Sequence, residues 1–226
     1  MTHPLDRPAW TALTTRQKEF ADGNDLAWRF KADIIPFAAA RDDGDEATAA
    51  LGALPGEFLT LAELHEPRMP AGFEIFIAAP IVQMTAVRPH PLVDDPRIER
   101  LTEADAAEML ELATLTRPGP FTLKAQALGA FYGVRIDGRI AAMAGERMRV
   151  EGHSELSGVC AHPDFRGQGL ARLLSIFVTD RIRARGDTPF LHAWADNTPA
   201  ITLYETIGYA TRVKLNVKVV RREGAA

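Results

Sequence analysis

Val159-Cys160-Ala161-His162-Pro163-Asp164-Phe165-Arg166-Gly167-Gln168-Gly169-Leu170-Ala171 is the stretch on which the reading of this chain turns. The apolar residues at its start predict the end of a strand, and His162-Pro163-Asp164 breaks it. From Leu170 onward, apolar side chains fall at Leu173, Leu174, Phe177, Val178 and Ile182, the spacing of one helix face. Gly186 stops that helix, with Arg181, Arg183 and Arg185 in its last turns and Pro189 beyond. A strand therefore runs through a glycine loop into a helix N-terminus. Glycines remove the Cβ atoms that would hold an anion away from the backbone. The first amides of a helix have no internal partner and point outward along the dipole. Together they make a phosphate site. The Gly-Lys-Ser/Thr ending of a P-loop is absent, and so is the third glycine of a dinucleotide fingerprint.

Around this stretch the 226 residues are 46% apolar and 25% charged, an ordinary globular composition. No apolar run reaches the roughly 18 residues of a membrane span, and Met1-Thr2-His3-Pro4-Leu5-Asp6 lacks the basic and apolar regions of a signal peptide. A lone cysteine forbids an internal disulfide. These features point to a cytoplasmic protein with no membrane partner. A net charge of −4 argues against a nucleic-acid partner. The charge is uneven: residues 1–96 hold 15 acidic and 8 basic side chains, and residues 97–226 hold 15 and 18. The basic half is the one with the phosphate loop, a fit to a polyanionic ligand.

Taken in order, residues 8–30 predict two helical pieces around Asp22-Gly23-Asn24-Asp25, and Ala47 to Leu54 a short helix. Glu57 to Leu61 and Phe73 to Ala78 predict strands, with Gln83-Met84 in a further one. Pro89-His90-Pro91-Leu92-Val93-Asp94-Asp95-Pro96 reads as a linker, since its prolines suit neither a helix nor an interior strand. The boundary falls there, between an N-terminal α/β segment, 1–90, and a second domain, 97–226. A strand from Ile98 to Leu101 follows, then a helix to about Leu115 opened by Thr102 with Asp105, and a second helix over Thr122 to Leu128. Phe131 to Ile136 and Arg139 to Val150 form a hairpin across Asp137-Gly138. Glu155 to Ala161 feeds the phosphate loop, Phe190 to Trp194 is another strand, and Thr198-Pro199 opens a helix with Thr198 as its cap. Tyr209 to Val220 supplies the last strands.

Arg166-x-x-Gly169-x-Ala171 resembles the Arg/Gln-x-x-Gly-x-Gly/Ala acyl-CoA loop of the GNAT N-acetyltransferases. Asn197-x-x-Ala200-x-x-Leu203-Tyr204-x-x-x-Gly208-Tyr209 resembles the second motif of that family at the expected distance. The strands before the loop, Ala142 to Arg147 and Ser157 to Pro163, resemble the FR47-like branch, which is related to glycine N-acyltransferases. The likeness covers roughly residues 97 to 220 and none of the first 95. It implies an α+β fold: a GNAT-like mixed, mostly antiparallel sheet flanked by helices. The N-terminal α/β extension, acidic and without a motif match, is expected to shape the acceptor pocket or the assembly. The resemblance implies acetyl-CoA as acyl-donor cosubstrate, no metal, and direct transfer in a ternary complex to a primary amine of a small molecule or amino acid.

Residue by residue, the resemblance assigns the CoA pyrophosphate to the backbone of Arg166, Gly167, Gln168, Gly169, Leu170 and Ala171. The backbone of Val159 and Ala161 would align the pantetheine as an added strand, and Asn197 would contact CoA. Tyr204 would protonate the departing thiolate. Glu155 is the candidate general base, direct or through water, and a solvated strand end is the plainer reading. Glu146 and His192 are lesser candidates for that task and read first as structural. Strand alternation puts Glu155, Ser157 and Val159 on one face and Cys160 on the other, in the core. His153 and His162 lack metal-ligand spacing. A non-catalytic acyl-CoA sensor is the alternative function, and a homodimer stays open.

Overall fold

The computed structural model describes residues 3–224. Its first part runs α1 (Pro8–Thr14), β1 (Ala21–Asn24), β2 (Ala27–Phe30), β3 (Ala38–Ala40), α2 (Asp45–Ala53), β4 (Phe58–Glu63) and β5 (Phe73–Ala86). The second part runs β6 (Ile98–Leu101), α3 (Ala106–Thr116), β7 (Phe131–Ile136), β8 (Arg139–Val150), β9 (His153–Ala161), α4 (Leu170–Ala184), β10 (Thr188–Trp194), α5 (Thr198–Thr206) and β11 (Tyr209–Arg222). β1, β2 and β3 form a small antiparallel sheet. The other eight strands form one sheet in the order β4-β11-β5-β10-β9-β8-β7-β6, antiparallel throughout except for β9 with β10.

The linker expected at 89–96 carries no strand or helix, yet the sheet does not divide there. β5, from the acidic first half, lies between β10 and β11 and pairs antiparallel with both. Gln83 and Met84 belong to this same strand, which continues through Pro80. The second helical piece expected within 8–30 is instead the β1–β2 hairpin. Phe30 is buried in the core and Arg29 spends its guanidinium on backbone carbonyls, so tertiary packing overrides the local pattern. Thr122 to Leu128 contains only a 3-10 turn at Ala125–Leu128. The Thr102–Asp105 capping box is present, Thr102 N donating to Asp105 Oδ2 at 2.8 Å. The β7–β8 turn puts both Asp137 and Gly138 at positive φ, as a tight hairpin requires.

Apolar side chains cover both faces of the large sheet. On one face α4 and α5 pack Leu170, Leu174, Val178, Ile182 and Tyr204 against Ala142, Ala144, Leu156, Leu191 and Val82. On the other, α3 covers Phe131, Met143 and Cys160. Beside it, α1 and the segment through Phe37 cover Met148, Phe190, Ile81 and Leu215. Among the described residues no helix is long and apolar enough to cross a membrane.

Candidate active site

β9 and β10 lie parallel only from His153↔Thr188 to Glu155↔Phe190. Beyond that, β9 stays with β8 and β10 with β5, so the two strands part and leave a cleft between them. A bulge accompanies the parting: Ser157 pairs with Gly145 and Cys160 with Met143, so that Gly158 and Val159 of β9 stand against Ala144 alone on β8. Gly158 takes φ +63 in the bulge, and a Cβ there would stand 2.8 Å from the Phe131 ring. The extra residue reverses the expected alternation. Cys160 joins Met143 and Phe131 under α3, while Val159 turns to the α4–α5 side. Cys160 is a core thiol, which burial pushes up to about 11.

At the outer end of the cleft sits the glycine loop. Gly167 and Gly169 take φ +78 and +74, and a Cβ on either would meet nothing within 4 Å. Both positions therefore face open space. The first backbone bond into α4 runs from Leu173 N to Gly169 O at 2.9 Å, so the amides of Leu170, Ala171 and Arg172 precede it. No side chain caps this helix, and its first turn carries no acid. α5, by contrast, is capped by Asn197, whose Oδ1 accepts from Ala200 N at 3.2 Å. The cap is thus Asn197 and not Thr198: the asparagine closes its own helix with its oxygen. Arg166, Gly167, Gly169, Leu170, Ala171, Val159, Ala161 and Asn197 line one groove together. Arg117 and Pro118, just beyond α3, form its other wall.

The groove leads inward. Val159, Asn197, Arg117 and Pro118 also line the deeper cleft, with Tyr204, His192 and Arg147. Phe37, Thr60 and Ile81, all from the first 96 residues, complete its walls. Tyr204 is buried, and burial, with Cys160 nearby, raises its phenol to about 12, so it stays protonated. Among the described residues its hydroxyl has no hydrogen-bond partner in the protein.

Glu155 is fully buried behind His192 and Arg147 and does not itself line the cleft. Arg147 grips it twice, Nε to Oε2 at 2.9 Å and Nη2 to Oε1 at 2.6 Å, and Met148 N adds a third bond at 3.1 Å. His192 Nδ1 lies 2.7 Å from Oε1. Burial pushes the carboxyl up, but the Arg147 charge and hydrogen bonds, with those of His192, outweigh it and hold Glu155 well below the usual carboxylate range. A carboxylate only accepts, so His192 carries its proton on Nδ1. Its Nε2 lies 3.0 Å from the Gln83 amide nitrogen. That nitrogen also donates to Leu5 O at 2.9 Å, while Gln83 Oε1 accepts from Arg212 Nε at 2.7 Å. Glu146 is not brought here: its carboxylate is held by Arg185 beyond the end of α4. Among the described residues no group of three or more His, Cys, Asp or Glu side chains has a metal-ligating arrangement.

Sequence reasoning missed Arg117, Arg147, Phe37, Thr60 and Trp194 as cleft residues. Arg117-Pro118-Gly119-Pro120 signalled only a helix break, and nothing local marks the others.

An uncapped helix start opening onto a splayed strand pair is the arrangement that suits an acyltransferase-type site. The comparisons agree. The FR47-like protein family matches residues 131–217. A GNAT-family protein from Novosphingobium aromaticivorans is 41% identical and superposes with a TM-score of 0.91, over 98% of this chain and 100% of that one. The chain therefore belongs to the GNAT family of acetyltransferases. A GCN5-related N-acetyltransferase from Kribbella flavida shares the fold at a TM-score of 0.64, with 17% identity over 96% of each chain. An acetyltransferase of the family from Colwellia psychrerythraea does so at 0.53 and 11%, over 98% of each. No curated protein matches the sequence.

Proposed function

We propose that this chain moves an acetyl or other short acyl group from acyl-CoA to a primary amine of a small molecule or amino acid. One observation carries the reading. The open-faced helix start and the cleft that holds Tyr204 and His192 are a single continuous groove, sharing Val159, Asn197, Arg117 and Pro118. The residues suit acyl-CoA, which supplies the acyl group as an activated thioester. The cradle of Gly167 and Gly169 leaves room for a pyrophosphate against free amides. Arg166 and Arg172 flank it with positive charge. The β10-facing edge of β9 past Glu155 offers unpaired backbone to pantetheine amides.

The remaining chemistry is proton movement. An alkylamine with a pKa near ~10 is mostly charged at neutral pH and must lose a proton before it attacks. His192 lines the cleft with Glu155 on its Nδ1, and once the Gln83 amide turns away from Nε2 that nitrogen takes the proton while the carboxylate steadies the imidazolium. Glu155 is then a positioning residue, acting on the acceptor through His192. Tyr204 donates its proton toward the departing sulfur, and its raised pKa keeps the donor form populated.

A screen of amines with acetyl-CoA, read by release of free thiol, tests the proposal. Turnover with at least one amine, lost in Tyr204→Phe, is the expected result. Acetyl-CoA binding without turnover of any amine would instead favour the non-catalytic sensor.

A further inference from the structure

The deeper cleft presents two guanidinium groups and, among the described residues, no carboxylate in its lining. Arg117 and Arg147 line it, and Arg29 lines its outer extension, where Glu57 is the lone carboxylate among the described residues. Arg29 is spent on the carbonyls of Phe30 and Pro55. Arg147 gives Nε and Nη2 to Glu155 and keeps Nη1 free of that pair. A Cβ built on Gly119 would stand 3.8 Å from Nη1, so the Arg117-Pro118-Gly119 turn lies close against Arg147 at the cleft wall. Arg117 is exposed and makes no ion pair among the described residues. It sits at φ 52, ψ 56, a left-handed helix end that glycine or asparagine adopts with less strain. A long cation therefore stands at the junction of the groove, the cleft and its extension.

Glu155 balances the charge of Arg147, so the uncompensated cation that meets an ammonium acceptor is Arg117. An acceptor that also carries an anion is drawn in, and a planar carboxylate matches the arginine fork. We propose that the acceptor bears a carboxylate beside its amine, held by Arg117 together with Nη1 of Arg147. This rests on the acyl-transfer reading of the same cleft and narrows it to amino acids and related amino-carboxylates. Arg117 also borders the phosphate groove, so the experiment must separate an acceptor carboxylate from the phosphates of CoA.

The test uses the full chain, acetyl-CoA and matched acceptor pairs: alanine with ethylamine, leucine with isopentylamine, phenylalanine with phenethylamine. Rates are compared per unprotonated amine, because the carboxylate lowers the amine pKa. The expected result is that one or more amino acids exceed their plain amines in kcat/KM. In Arg117→Gln the amino-acid KM should rise by about 10-fold or more, the worth of a charged hydrogen bond, with the Kd of acetyl-CoA unchanged. The exposed position of Arg117 makes a folding failure of this variant unexpected. Plain amines used as well as their partners would overturn the proposal. So would an Arg117→Gln protein with weakened acetyl-CoA binding and an unchanged acceptor KM, which assigns the arginine to the phosphates. If no amine is turned over, the acyl-transfer reading fails separately, and calorimetry with N-acetylalanine and N-acetylphenylalanine on the CoA-saturated protein decides this point. Binding that Arg117→Gln abolishes supports the carboxylate site; absence of binding to the parent protein overturns it.

Discussion

Tyr204 and Glu155 are both buried, and burial acts on them in opposite ways. Tyr204 has no charged partner, so desolvation raises its phenol to about 12. Tyr204→Phe removes only a hydroxyl without a protein partner. Its expected effect is a kcat lower by about 10²–10⁴-fold with little change in acetyl-CoA affinity or in melting temperature; a variant with the parent kcat in single-turnover assays would make the ring purely structural. The same shift has a pH consequence. The neutral phenol persists through pH 10, so kcat/KM should climb as the acceptor ammonium loses its proton, without a falling limb from Tyr204 below pH 10. Glu155 has partners enough to reverse its desolvation, and its folded pKa lies below the ordinary 4.5. A depressed carboxyl stabilises the fold above its unfolded pKa, and that contribution fades as pH falls toward the folded value. Glu155→Gln leaves the Arg147 charge buried without its counterion, a loss of about 3–5 kcal/mol. In urea titrations the gap between parent and variant should be full near pH 7 and should narrow in acid. A positioning role for Glu155 further requires that the ratio of the variant's kcat/KM to the parent's recover as pH rises and free amine accumulates, whereas a merely structural role leaves that ratio flat.

At the scale of the element, the proposed acyl-CoA site stands or falls with the start of α4. Gly169 ends the loop at φ +74 with no side chain capping the helix. Gly169→Glu adds a Cβ and a negative charge where an anion should sit, and strains a left-handed position by roughly 1–2 kcal/mol. Acetyl-CoA affinity should fall by more than tenfold. Gly169→Asn tolerates the same backbone and carries no charge, so it should retain most of the affinity and separates strain from repulsion. Equal affinity in Gly169→Glu and the parent, measured calorimetrically on folded protein, would remove the loop from the binding site. This element was legible in sequence because helix start, glycines and apolar spacing are all local. β9 was legible in position but not in facing. Period-2 alternation assumes no bulge, and Gly158 inserts one because the Phe131 ring leaves no space for a side chain.

For the whole molecule, the decisive contact is β5 between β10 and β11. All residues that match the acyl-CoA motifs follow Pro96, which makes a fragment beginning there look self-sufficient. The sheet says otherwise. Removing residues 1–95 strips β5 from between the two strands it pairs with, exposes Phe190 and Leu215, and takes away the inner cleft wall formed by Phe37, Thr60 and Ile81. The 96–226 fragment is expected to be insoluble or to lack a cooperative thermal transition. A soluble fragment that unfolds cooperatively and binds acetyl-CoA would show that the second half folds alone.

The sequence by itself determined the local grammar of this protein: the helix that begins at Leu170, the open glycines before it, the capping box at Thr102, the Asp137-Gly138 turn. Each depends on backbone groups within a few residues of one another, so side-chain type and spacing suffice. Tertiary structure decided the rest. It turned the stretch around Asn24 into a hairpin because Phe30 and Arg29 find their partners elsewhere in the chain. It threaded β5 between β10 and β11, both far along the chain from it, since strand order follows from burial on both faces and not from chain order. It hid Glu155 behind His192 and Arg147, and brought Phe37, Arg117 and Tyr204 to one cleft. These are distances between residues far apart in sequence, and only the packed chain fixes them.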